Sequence, residues 1–86
     1  MVADLIPLEY LDRGEWAEVA EVDGDVRWVG RVAELGLRPG ARLCMLQPGY
    51  PCLFCLGECR LSLRLGESVQ VLVRPVPAEA LAAEVV

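Results

Sequence analysis

Apolar residues recur along this chain with two different periods, and the switches between them mark out its elements. Residues about 16–22, Trp16-Ala17-Glu18-Val19-Ala20-Glu21-Val22, alternate weakly and predict a first strand. Val29, Val32 and Leu35 then fall at helical spacing, which predicts a helix over about 26–35 capped by Asp25 or Asp23. Gly36 follows that stripe where a left-handed cap favours glycine, and Leu37 is placed to fold back onto it. Pro39-Gly40 suits the centre of a type II turn, the proline fixing φ and the glycine accepting φ > 0. Four more strands are predicted at about 41–47, 52–57, 59–65 and 69–74. Pro75 and Pro77 close the last of them, since neither offers a ladder donor. Ahead of the first strand, Leu8 and Leu11 read as plugs at one end of the fold. The alanine-rich tail over 76–86 reads as a short helix or a frayed end.

The hexapeptide Leu35-Gly36-Leu37-Arg38-Pro39-Gly40 therefore stops a helix and restarts a strand, each residue with its own geometric task. Before it stand Leu8-x-x-Leu11-x-x-Gly14 and the strand Ala17 to Val22. After it come Pro51, Arg60-Leu61-Ser62-Leu63-Arg64 and Val69-Gln70-Val71-Leu72-Val73. Together these motifs, from about Leu8 to Val73, resemble the FeoA family of small ferrous-iron transport accessory domains. The resemblance implies a mostly β fold, an SH3-like five-stranded barrel with one short helix between the first and second strands. It also implies a FeoB-type membrane iron transporter as partner, engaged through its cytosolic portion. A similar barrel closes some metal-dependent repressors of the DtxR type.

Eighty-six residues make one domain, 1–86, with its core at about 8–75. Hydrophobic residues are 55% of the chain, yet no apolar run approaches the ~20 residues of a membrane helix. The stretch Val2 to Leu11 lacks a basic leader and is broken by Asp4, Pro7 and Glu9, so a cytoplasmic protein is expected, with no direct membrane insertion. Net charge is −5, and no helix-turn-helix pattern precedes the barrel, so nucleic acid is not an expected partner. The chain has no histidine, lysine, threonine or asparagine, which removes imidazole acids and bases and Schiff-base amines. Ser62 and Ser68 have no base near them in sequence, and Asp23-Gly24-Asp25 lacks the remaining ligands of a calcium loop. An enzyme is not expected.

Cys44, Cys52, Cys55 and Cys59 are the chemistry that remains. Four clustered thiols suggest zinc or an iron–sulfur cluster, because thiolates suit soft metals. Strand register argues otherwise. A four-residue loop at Pro48-Gly49-Tyr50-Pro51 sets Cys44 opposite Cys55 and Leu46 opposite Leu53, and a two-residue turn at Gly57-Glu58 sets Leu56 opposite Cys59. Alternation then places Cys52 and Cys59 with Leu43, Met45, Phe54, Leu56, Leu61 and Leu63 on the core face. Cys44 and Cys55 share the other face, as the first candidates for a metal or a disulfide; a bulge at Gly57 would bring in more of the four. No cofactor is expected, with zinc or iron at the cysteines as the alternative.

The same register makes Leu46 and Leu53 an apolar centre on the outer face, rimmed by Arg42, Arg60 and Arg64. An apolar centre inside a polar rim is how interfaces are built. Taken with the resemblance to the FeoA family, the reading is a non-catalytic recognition domain of ferrous iron uptake. Two alternatives remain, a small metal- or redox-responsive protein that works through its cysteines, and a domain whose partner is a second copy of itself.

Overall fold

The computed structural model describes residues 4–66 and 69–77. Six strands run β1 (Ile6–Pro7), β2 (Trp16–Asp23), β3 (Arg42–Gln47), β4 (Cys52–Leu56), β5 (Cys59–Leu63) and β6 (Gln70–Val76), with one α-helix, α1 (Val26–Glu34), between β2 and β3. All pair antiparallel in a single sheet of order β1-β6-β2-β3-β4-β5. The fold is mostly β and SH3-like, as expected, with one strand more than the five predicted. The extra strand, β1, is two residues long, too short to leave an alternation in the sequence.

Local chemistry explains the joints. Asp25, not Asp23, caps α1: its carboxylate accepts the amide hydrogens of Arg27 and Trp28. At the other end, the Gly36 amide donates to Ala33 O at 3.0 Å and the Leu37 amide to Val32 O at 2.9 Å. With Gly36 at φ +106°, this is a Schellman cap. The Ala41 amide then donates to Arg38 O, and Gly40 lies at φ +93°, as a type II turn through Pro39-Gly40 requires. The turn is docked onto β2 by two further bonds of 2.8 Å, Gly40 N–H to Val19 O and Val19 N–H to Ala41 O.

The core is built from the inward residues of four strands, the opening turn and the helix. Leu8, Leu11, Ala17, Val19, Val32, Leu37, Leu43, Met45, Cys52, Phe54, Leu56, Leu65, Val71 and Val73 are buried together. Leu8 and Leu11 are fully enclosed at the 3-10 turn Leu8–Tyr10, and Trp28, Leu61 and Leu63 pack against the cluster. Two expectations change here. Leu35 ends the helical stripe but is 49% exposed, because the cap turns the chain at that residue and carries only Leu37 back inward. Pro75 lies inside β6 rather than ending it, paired with Ala17. It is tolerated because β1 reaches only Val73, leaving the outer side of β6 without a ladder there. The tail expectation from residue 78 onward falls outside the described residues.

Bulges account for two further differences. The β2–β6 register shifts between Val19 and Glu21, so the inward series runs Ala17, Val19, then Val22. That inserted residue is why the alternation in the sequence is weak. The β3–β4 register shifts between Met45 and Gln47, so Leu53 pairs with Gln47 and Leu46 is the extra residue. The predicted opposition of Leu46 and Leu53 is corrected accordingly. Below the bulge the predicted pairs hold: Met45 with Phe54, Cys44 with Cys55, Leu43 with Leu56.

Candidate functional site on the outer sheet face

Opposed residues of an antiparallel sheet share a face, so the ladders define rows. Ala17 and Val19 point into the core, which turns Trp16 and Glu18 outward. One outward row then crosses five strands: Val76 on β6, Trp16 on β2, Cys44 on β3, Cys55 on β4 and Arg60 on β5. A second row holds Arg74, Glu18 and Arg42, with Arg74 and Glu18 paired at 3.1 Å. On the other side of the central row, Leu53 opposes Ser62, next to the Leu46 bulge.

Of the predicted contact residues, Leu46, Leu53 and Arg42 are half-buried, and Arg60 and Arg64 are exposed. Leu46 and Leu53 are not among the side chains packed against the core. Arg64 sits 5.8 Å from the ring centre of Tyr50, an exposed residue of the β3–β4 loop. Sequence reasoning missed Trp16. It stands opposite Cys44 at 42% exposure and extends the apolar centre onto β2. A helix separates β2 from β3, so no turn fixed their register in advance. The only signal was that Trp16 precedes Ala17 by one in a period-2 pattern.

All four cysteines are free thiols. Cys52 is buried on the core face, and Cys44 and Cys55 are half-buried and opposed on the outer face, as register required. Cys59, expected in the core, is exposed. It opens β5, the terminal strand of the sheet, directly after the Gly57-Glu58 turn, and no described strand pairs beyond it. Among the described residues, no group of three or more cysteines and carboxylates is placed to hold a metal ion.

Burial raises the Cys44 thiol above its ordinary value of 9.0, and Cys55 beside it raises it further. Burial is also the main cause that raises Cys52. The thiolate is the nucleophile and the metal ligand, so both residues rest in their unreactive form near neutral pH. The sign of the linkage follows. A thiol raised on folding contributes stability that is whole below pH 9.0 and is lost as the pH climbs toward the folded value. For buried Cys52 the slope there reaches at most about 1.4 kcal/mol per pH unit. Denaturant titrations from pH 7 to 11 are expected to show this alkaline decline in wild type. Cys52→Ala should lessen it; a decline unchanged by Cys52→Ala would assign it elsewhere.

Comparison with known proteins places this geometry. Residues 6–75 match the FeoA domain. A crystal structure described as an iron uptake regulatory protein (FeoA) superposes with a TM-score of 0.74, covering 85% of this chain and 100% of that one. The two are 24% identical in sequence, and that likeness carries the fold. A comparison with curated proteins gave no match. No helix among the described residues is long and apolar enough to cross a membrane.

Proposed function

Because the chain belongs to the FeoA domain family, a family of ferrous iron uptake, we propose that it acts without catalysis, by recognising the cytosolic portion of a FeoB-type membrane transporter. The observation that carries this reading is the outer face of the sheet. Trp16, Leu46 and Leu53 form an apolar centre there that the core does not use, with Arg42, Arg60 and Arg64 around it. Aromatic and arginine side chains are the residues on which interfaces most often depend. An arginine rim favours an acidic border on the partner, which steers encounter more than it adds affinity. Family membership supports an accessory role, and the chain's lack of histidine and lysine fits one.

Binding of the transporter's cytosolic portion, titrated against the folded chain, tests the reading. Leu46→Asp with Leu53→Asp is expected to abolish binding, and Trp16→Ala to cost 1 kcal/mol or more, roughly the loss at a central anchor. Cooperative melting of each variant shows that the sheet survives. A double variant that binds like wild type removes this face, and absence of binding by wild type removes the partner.

A further inference from the structure

The opposed pair Cys44 and Cys55 is chemistry that recognition leaves unused. Both are free, half-buried and on one face of the sheet. The Cys44 thiol makes a weak contact of 3.9 Å with Met45 O, along its own strand. Directly opposed residues on antiparallel strands keep their Cβ atoms about 4.5–5.5 Å apart. A disulfide asks for about 3.5–4.5 Å between the same atoms, so forming one would draw the strands together. A single ion held at about 2.3 Å from each sulfur lets the sulfurs stand up to about 4.6 Å apart. Opposed positions on the ladder therefore suit a bridging ion better than a direct S–S bond.

Coordination number then selects the ion. No third cysteine or carboxylate among the described residues joins the pair. Cys52 is buried on the opposite face, and Cys59 is exposed and paired with Leu56, a core-face residue. Structural zinc takes four ligands and cube-type clusters take four thiolates, so neither is completed here. Among the soft ions that thiolates select, cuprous ion is the one satisfied by two of them. The setting suits it. Trp16 stands opposite Cys44 in the ladder, and Arg60 stands opposite Cys55, where its charge offsets the single net negative charge of a dithiolate–copper(I) unit.

We propose that Cys44 and Cys55 form a two-thiolate clamp for one soft monovalent cation of the copper(I) class. On binding, each thiol releases a proton and each sulfur forms one bond to the metal; no electron is transferred. The site stands independently of the transporter reading.

Anaerobic titration of the reduced full chain with copper(I) supplied as its bicinchoninate complex tests it. One copper(I) per chain is expected to leave the chelator, with quenching of tryptophan emission from Trp16. Cys44→Ser and Cys55→Ser should each weaken binding by more than about 100-fold, beyond what loss of an outer-shell partner costs. Cys52→Ala and Cys59→Ser should bind as wild type. Failure of wild type to take copper from the chelator overturns the proposal. So does half an ion per chain with a dimer in sedimentation, or an equal loss on replacing Cys59. Wild-type stoichiometry decides the matter even where a serine variant folds poorly, and none of these outcomes touches the transporter titration.

Discussion

Phe54→Ala is expected to cost about 3–5 kcal/mol, the range for emptying a buried aromatic site. Phe54 is the chain's single phenylalanine and is fully enclosed. It sits on β4 between Met45 on β3 and Leu61 on β5, at the middle of the three-stranded meander. Strands flanked on both sides by hydrogen-bonded neighbours cannot close in to fill the void, so most of the cavity cost persists. At about 0.05–0.15 kcal/mol per residue, a domain of this size has roughly 4–13 kcal/mol in all, so the loss is a large share of it. The urea midpoint should therefore fall steeply while the slope of the transition stays unchanged. A loss below about 1.5 kcal/mol would mean that this part of the core collapses freely.

Leu37→Ala should lose about 2–4 kcal/mol, whereas Leu35→Ala should stay within about 0.5–1 kcal/mol. The two leucines stand two residues apart in the same hexapeptide, yet Leu37 is 0% exposed and Leu35 is 49% exposed. The Schellman cap makes the difference. Its bond from the Leu37 amide to Val32 O turns the chain so that the residue after Gly36 enters the core. Gly36 is held there by φ +106°, and an added Cβ would meet Leu56 Cδ2 at 3.4 Å. Thermal melts of the two variants check the contrast. Equal losses would mean that the cap does not direct burial.

What could be read in advance was what neighbours in sequence decide. An aspartate cap at Asp23 or Asp25, the Gly36 stop, the Pro39-Gly40 turn and the two hairpins each rest on a few adjacent residues, and the structure has them, with Asp25 as the cap. What escaped depends on distant chain. The Ala20 region bulge arises where β2 meets β6, and the Leu46 bulge replaces a pairing that a four-residue loop alone would set. Exposure of Cys59 follows from β5 being the last strand in the order, which alternation within β5 cannot reveal. Trp16 joined the candidate face only through a register fixed across a helix. The outer face was legible as a face, with its opposed cysteines, but its extension onto β2 through Trp16 was not.

The ion pair between Glu18 and Arg74 joins residues 56 apart in sequence, and the whole β2–β6 ladder spans similar distances. The hairpins of β3, β4 and β5 instead close over short turns. Loop closure becomes costlier by about 0.6 kcal/mol with each doubling of length, so the meander can assemble while β6 is still searching. Val71 and Val73 complete the core only when that last strand arrives. The height of the folding barrier thus belongs to topology more than to the helix or the hairpins. Weakened contacts in β6 should then quicken unfolding and leave refolding nearly as fast as before, a division that the two arms of a denaturant rate plot display separately.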